Sequence, residues 1–266
     1  MKLLAFLKRD VQIDLSYKLR FLMQFIGIFF STALSFFVSE LIGSGISNKL
    51  AGYGGDYFSF VIIGIALTDY LSVSLEQFSD EIRTAQLEGT LETLLVTPTS
   101  VYTVLFSSSL YNFFLTSLRV MVYILLGLLL FGLKLHLTSI LALVVLMILT
   151  IGSFAGIGLI SAAFILVLKQ GSPIPLLVTT ASGLLGGVFY PVNILPAWLV
   201  PFSQLLPITH ALEAMRQVLL NGASFAFIWE KALILVFFSA ILIPIGLAAF
   251  GYGLKIAKRE GSLLYY

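Results

Sequence analysis

The sequence predicts an all-α membrane protein with six transmembrane helices, an N-terminal interfacial helix, a cytoplasmic amphipathic helix and a re-entrant extracellular helical hairpin before the last span. Two observations support this prediction. Of the 266 residues, 59% are hydrophobic and 11% are charged, whereas a soluble domain has about 25% charged residues. Six apolar stretches are each long enough for a bilayer-spanning helix of about 20 residues. We therefore expect one membrane domain over residues 1–266.

Residues 1–20 predict an amphipathic helix that lies in the membrane interface. Leu4, Leu7, Val11 and Leu15 recur at helical spacing, with charged residues between them. Because these charges interrupt any apolar run, the segment does not have the pattern of a cleavable signal peptide. The alternative interpretation is an unstructured basic tail.

The apolar stretches cover residues 21–43, 57–78, 101–133, 137–168, a fifth that begins near Ile174, and 232–254. Gly152 and Gly156 have the small-xxx-small spacing that lets two helices approach closely. With the N-terminus inside, ten of the 15 Lys and Arg residues fall on the cytoplasmic side and four outside. Because such a bias sets orientation, we expect a multi-pass plasma-membrane protein with both termini in the cytoplasm.

The fifth stretch is too long for one crossing, because no charge occurs in residues 171–209. Its prolines exclude a straight helix beyond about Tyr190, and its apolar side chains disfavour a solvated loop. We expect residues 191–222 to form two short helices, the second over 208–220, that dip into the outer leaflet with their backbone buried in protein. Trp198 should then be shielded. Three polar residues of the second helix are expected to form a solvated face: His210, Glu213 and Arg216.

Residues 80–98 form the predicted cytoplasmic loop between the second and third spans. Four leucines lie on one face of a helix: Leu87, Leu91, Leu94 and Leu95. Glu88 and Glu92 share another face, and Pro98 ends the helix. An acidic helix is poorly suited to the anionic inner leaflet, so its apolar face is expected to contact protein.

This segment resembles the first coupling helix of ABC-2 type exporter permeases. Eight residues match the family pattern: Glu88, Gly89, Thr90, Glu92, Leu94, Leu95, Thr97 and Pro98. Residues 186–199 are similar to the family's turn into the outer hairpin. Residues 207–211 are similar to the start of its next helix, although Leu206 and His210 replace the family's Asn and Tyr. The resemblance extends over essentially the whole chain.

The resemblance implies the permease subunit of an ATP-binding cassette exporter in a bacterial plasma membrane. A homodimer or a pseudo-symmetric heterodimer of permeases would join two ABC ATPase subunits, which bind ATP and Mg²⁺. This chain has no Gly-x-x-x-x-Gly-Lys-Ser/Thr motif, so we expect it to hold no cofactor and to be no enzyme. The implied substrate is amphipathic or hydrophobic: a drug, a lipid or a lipid-linked glycan. The residues implied in coupling to the ATPase are Leu87, Glu88, Gly89, Thr90, Leu91, Glu92, Leu94 and Leu95.

Four residues are candidates for the substrate path or its gate: Asp69, Arg119, Val188 and Phe189. An ionised carboxylate at mid-membrane costs several kcal/mol, so Asp69 either serves the path or is a structural partner of Arg119. By resemblance, Val188 and Phe189 align with an apolar constriction that would close the path by dewetting. Ordinary packing is the alternative for this pair.

Two other function classes stay open. Asp69 and Glu76 could serve an ion-coupled secondary transporter, although the two halves of the chain show no obvious inverted repeat. A membrane-embedded enzyme would need paired carboxylates or a nucleophile with its base, and the sequence shows no such set. Two His and no Cys disfavour a metal site, and a net charge of +2 disfavours nucleic-acid binding.

Overall fold

The structure, a computed structural model, describes residues 18–54, 56–90, 100–136, 139–168 and 172–259. Its helices are α1 (Lys18–Ile46), α2 (Tyr57–Leu87), α3 (Val101–Leu130), α4 (Ile140–Leu168), α5 (Ile174–Leu185), α6 (Val200–Gln204), α7 (Pro207–Asn221) and α8 (Phe225–Arg259). Short 3-10 helices cover Ser47–Tyr53 and Val192–Ile194. No strand occurs in these described ranges, which confirms the all-α prediction. The predicted interfacial helix lies almost entirely outside them.

Among the described residues, five helices are long and apolar enough to cross a membrane, judged by length and composition: α1, α2, α3, α4 and α8. The predicted fifth span forms only the 12-residue α5, which is about 18 Å long, whereas the hydrocarbon core is about 30 Å thick. Five of the six predicted spans thus meet this length criterion, and the fifth stretch forms a shorter apolar helix that ends before Tyr190, where a straight helix was excluded. α5 ends early because Gly187 adopts a φ of 79°, a left-handed conformation that an α-helix cannot continue.

Helix α2 lies at the centre of the bundle and is the most deeply buried of the long helices. It contacts α1, α3, α4, α5 and α7. Asp56 caps its start by accepting a hydrogen bond from the backbone N–H of Ser59 (3.0 Å). One apolar cluster packs α2 against α4, α7 and α8 and includes Leu71, Leu146 and Leu235. A second cluster, near the other end of α2, includes Phe78 and Phe250.

Helices α4 and α8 pack at close range through glycines. A Cβ atom added to Gly156 would lie under 3.0 Å from the backbone of Leu242, and one added to Gly246 would lie equally close to the Gly156 carbonyl. At Gly152 an added Cβ would meet Ser239 Oγ at 3.3 Å. The close approach predicted from the spacing of Gly152 and Gly156 is confirmed, and it is tightest at Gly156.

We call the end of the bundle that holds residues 186–224 the hairpin end, and the end that holds residues 87–90 and Ser100 the loop end. At the hairpin end, α7 begins and ends within one residue of the predicted second helix. Trp198, Phe202 and Leu205 are 69%, 55% and 68% exposed within this chain, so the predicted shielding of Trp198 would have to come from the membrane or from a second chain. These apolar side chains of α6 and its flanking residues face outward, whereas the polar residues His210 and Arg216 of α7 are buried. The re-entrant position of the hairpin stays a prediction.

Candidate functional site

The segment predicted as the coupling helix begins as the last two turns of α2. The helix continues to Leu87 and then ends in a Schellman motif. The N–H of Gly89 donates to the carbonyl of Gln86 (3.1 Å), and the N–H of Thr90 donates to the carbonyl of Ala85 (2.9 Å). Gly89 has a φ of 67°. A single helix through residues 80–98 is therefore wrong at Gly89, because the left-handed residue turns the chain out of the α2 axis.

The predicted coupling residues divide at this turn. Leu87, Glu88, Gly89 and Thr90 are all exposed at the loop end, and Leu87 is 61% exposed despite its apolar side chain. The other predicted coupling residues lie outside the described residues: Leu91, Glu92, Leu94 and Leu95. The structure thus presents the first half of the segment to solvent or to a partner.

Replacing Gly89 with alanine should loosen the last turn of α2. A Cβ in the left-handed conformation costs about 1–2 kcal/mol, so hydrogen exchange at the amides of Gln86–Thr90 should accelerate about fivefold or more in Gly89→Ala. Gly89→Asn should exchange more slowly than Gly89→Ala, because asparagine tolerates this conformation. Exchange at the wild-type rate in Gly89→Ala would mean that the turn does not depend on glycine.

Asp69 and Arg119 form an ion pair between α2 and α3. Arg119 Nε lies 3.4 Å from Asp69 Oδ2, and the two side chains are 20% and 30% exposed, respectively. Arg119 also donates a hydrogen bond from Nη2 to Thr116 Oγ1 (3.1 Å). Next to this pair, the Tyr70 hydroxyl donates to Ser117 Oγ (2.8 Å) and again joins α2 to α3. Asp69 was interpreted either as part of the substrate path or as a structural partner of Arg119. This geometry favours the structural interpretation, because each charge is compensated within the pair.

The two predicted gate residues lie in different environments. Val188 is 1% exposed and belongs to the large apolar cluster, whereas Phe189 is 48% exposed. The predicted apolar ring therefore does not include the Val188 side chain. The two side chains point in different directions because the chain turns at Gly187, so that Val188 packs inward against α2 and Phe189 faces outward.

Arg216 of α7 holds this irregular segment in place. It donates from Nη1 to the carbonyl of Gly187 (2.6 Å) and from Nη2 to the carbonyl of Val188 (2.8 Å). It also donates from Nε and Nη2 to the carbonyl of Phe60 (3.2 and 3.0 Å). Its guanidinium carbon lies 3.3 Å from the centre of the Phe60 ring, a cation–π contact. The side chain therefore joins α7, the chain after α5 and the start of α2.

Close approach at this junction requires a glycine on α2. A Cβ added to Gly64 would lie under 3.0 Å from both the Val188 carbonyl oxygen and Arg216 Nη2. Arg216 itself is 3% exposed, and burial lowers its pKa to about 9. Since this value is still above neutral pH, the guanidinium is charged and can donate all of these hydrogen bonds.

The prediction of a solvated face on α7 is wrong for two of its three residues. His210 is 7% exposed and Arg216 is 3% exposed, and only Glu213 remains partly exposed, in an ion pair with Lys231 (2.7 Å). A signal was present in the sequence: the Gly186-Gly187 pair begins an irregular segment whose backbone carbonyls lack helical donors, and a nearby arginine can satisfy several of them. Helical spacing alone does not reveal that Arg216 is buried and donates hydrogen bonds to these backbone carbonyls.

A cavity of about 410 Å³ lies beside Arg216 at the hairpin end. We call it the hairpin pocket. Its titratable lining consists of Tyr53, His210, Glu213, Arg216 and Lys231. Burial raises the pKa of the Tyr53 hydroxyl and lowers the pKa of His210, so both groups are neutral at neutral pH. Within the described ranges, no three His, Asp or Glu side chains converge in a way that could hold a metal ion.

The sequence also matches a known family over most of its length. The family model for ABC-2 type transporters matches residues 12–220, a range that includes α1 to α6 and all but the last residue of α7. The chain matches none of the curated proteins with which it was compared. Since the match covers well over half of the 266 residues, the chain belongs to the ABC-2 type transporter family as a membrane-embedded permease component.

Proposed function

We propose that this chain is the permease subunit of an ATP-driven exporter for an amphipathic or hydrophobic molecule. The observation that carries the proposal is the family match over residues 12–220, together with five apolar helices. The chain has no phosphate-binding loop motif, so a separate ATPase subunit must bind ATP and Mg²⁺. Two permease copies and two ATPases would switch between inward-open and outward-open states.

In this proposal the loop end is cytoplasmic and carries the contact with the ATPase. The bias of Lys and Arg residues supports this orientation, with Lys255, Lys258 and Arg259 at the end of α8. The exposed segment Leu87–Thr90 is the start of the contact surface, and Leu91, Glu92, Leu94 and Leu95 continue it. The Schellman turn at Gly89 would fix the angle at which that segment leaves α2. A movement of the ATPase that displaces the segment would therefore also displace α2, the buried central helix of the bundle.

The substrate path in this proposal runs beside α5, whose exposed apolar residues continue to Phe189. Leu176, Leu177 and Leu184 are 71%, 65% and 59% exposed. A second permease copy packed on this face would bring two Phe189 rings together and form an apolar gate. Ion-coupled transport through Asp69 is less well supported, because Arg119 already compensates its charge.

A substitution at Leu91 tests the contact with the ATPase. In Leu91→Asp an unpaired carboxylate would be buried at the interface, at a cost of about 3–5 kcal/mol. We expect co-purification of the co-expressed ATPase to fall at least about tenfold. Leu91→Met, which keeps an apolar side chain, should co-purify at the wild-type yield. ATPase yield with Leu91→Asp equal to that with Leu91→Met would refute the proposed contact.

The energy source is tested separately in vesicles. Transport of a fluorescent amphiphile should stop when the ATPase partner carries a substitution of its phosphate-binding lysine. It should continue when an uncoupler collapses the proton gradient. The opposite pair of results would support the ion-coupled transporter instead.

A further inference from the structure

The hairpin pocket has an excess of positive charge. Its lining contains two cations, Arg216 and Lys231, and one carboxylate, Glu213. Glu213 is paired with Lys231 at 2.7 Å, and none of the ion pairs within the described residues includes Arg216. Buried charges in proteins are normally compensated by an opposite charge as well as by dipoles. The pocket therefore has the electrostatic character of an anion site.

Arg216 retains hydrogen-bonding capacity for such an anion. A guanidinium has five N–H donors, and the four hydrogen bonds described above use Nε, both protons of Nη2 and one proton of Nη1. One N–H of Nη1 is left. Lys231 Nζ has two further donors after its contact with Glu213. These donors are of the kind that bind phosphate oxygens.

His210 adds an acceptor with no partner. Its Nε2 lies 2.8 Å from the carbonyl oxygen of Gln204, and since a carbonyl only accepts, Nε2 carries the proton. The buried Nδ1 has no hydrogen-bond partner among the described residues. Because burial keeps the ring neutral, Nδ1 is an acceptor, which suits a hydroxyl group next to an anion.

The surroundings of the pocket indicate a ligand at a membrane surface. Gln204 and Val200 of α6 line the pocket, and the same short helix and the residues on either side of it expose Trp198, Phe202 and Leu205. A tryptophan beside aliphatic and aromatic side chains is typical of the boundary between headgroups and acyl chains. A polar pocket directly beside this apolar surface would lie at headgroup depth.

We propose that the hairpin pocket binds the phosphate of an anionic phospholipid headgroup. Lys231 and the remaining N–H of Arg216 would hold the phosphate oxygens, and His210 Nδ1 would accept a hydrogen bond from a headgroup hydroxyl. The volume of about 410 Å³ is within the range of about 300–1,000 Å³ found for small-molecule sites. This site goes beyond the proposed transport function and does not require the ATPase, so its test can fail while that function holds.

The test is a calorimetric titration of the purified full-length chain in neutral detergent. The probes are dihexanoyl-phosphatidylglycerol, dihexanoyl-phosphatidylcholine and inorganic phosphate. We expect phosphatidylglycerol to bind at least about tenfold more tightly than the other two, because choline adds a positive charge and free phosphate lacks the apolar contacts. Equal affinity for the two lipids would overturn the proposal. If inorganic phosphate binds as tightly as phosphatidylglycerol, the proposal that the ligand is a lipid is wrong.

Matched lysine variants test the location of the site. Lys231→Gln should weaken phosphatidylglycerol binding about fivefold, and Lys231→Arg should retain it. Lys134→Gln removes the same charge from an exposed residue at the same end of the bundle that does not line the pocket, so it should bind like the wild type. Equal affinities of Lys231→Gln and Lys134→Gln would overturn the assignment to the pocket.

Discussion

Replacing Arg216 with methionine should lower the thermal midpoint of the purified protein by about 5–10 °C. Methionine is apolar and of similar length, so the packing volume is largely kept while the donors are lost. The carbonyls of Gly187 and Val188 receive no backbone hydrogen bond among the described residues, and each depends on Arg216. A buried carbonyl left without a donor costs roughly 1–3 kcal/mol. The chain after α5 would also lose its hydrogen-bonded link to α2 through Arg216.

Scanning fluorimetry in detergent measures this effect, with two comparison variants. Arg83→Met removes an equal charge from an exposed residue of α2, where a substitution usually changes stability by less than about 0.5 kcal/mol. Arg216→Lys keeps a charge but has no planar fork, so it cannot reach both carbonyls in the same way and should fall between wild type and Arg216→Met. A midpoint for Arg216→Met as high as for Arg83→Met would show that the junction is held by packing alone.

The long helices could be predicted from the sequence because their signal is local and repeated. About 20 apolar residues in a row have few alternatives in a bilayer, and the starts of α2 and α3 coincide with Asp56 and Ser100, whose side chains cap them. The spacing of Gly152 and Gly156 likewise predicted a close helix contact. In each case the signal that allows the prediction lies within a few residues of the feature, although the partner of the Gly156 contact lies far away in the chain.

The site at the hairpin end could be predicted only in part, because it depends on contacts between residues far apart in the chain. The pattern in α7 places Arg216 on a polar face, and a polar face is normally solvated. Its partners are the carbonyls of Phe60, 156 residues away, and of Gly187 and Val188. Val188 was assigned to a gate by its alignment with the family, and that alignment does not reveal the turn at Gly187, whose φ is 79°, or the burial of the Val188 side chain.

The loop end shows the same limit on a smaller scale. Leucines at helical spacing on both sides of Gly89 predict one helix through residues 80–98, because the pattern gives the period and not the continuity of the backbone. A glycine in the middle of such a helix would be expected where another segment or chain packs closely against it. Within this chain the Cβ position of Gly89 has no neighbour within 4 Å, and its φ of 67° accounts for a glycine at this turn.

Replacing Gly156 with leucine should have the largest effect on stability of any single change considered. In wild type, the backbones of α4 and α8 are so close that even a Cβ at position 156 would lie under 3.0 Å from three backbone atoms of Leu242 and Ile243. Backbone atoms of a helix cannot rotate away as a side chain does. The two helices must therefore separate along a contact that extends over most of their length, and overpacking of this kind costs about 1–3 kcal/mol or more.

Gly152→Ala is the matched comparison, because it lies one turn away on the same face of α4. Its added Cβ would meet the Oγ of Ser239 at 3.3 Å, a side-chain atom that can shift by a few tenths of an ångström. We expect Gly152→Ala to unfold within about 3 °C of wild type, Gly156→Ala to unfold clearly lower, and Gly156→Leu to yield little monodisperse protein. The order matters more than the sizes, because only a backbone contact at position 156 makes alanine there worse than alanine at 152. If the two alanine variants unfold at the same temperature, the backbones of α4 and α8 are not in contact at Gly156. The interface between the two helices is then stabilised by side-chain contacts.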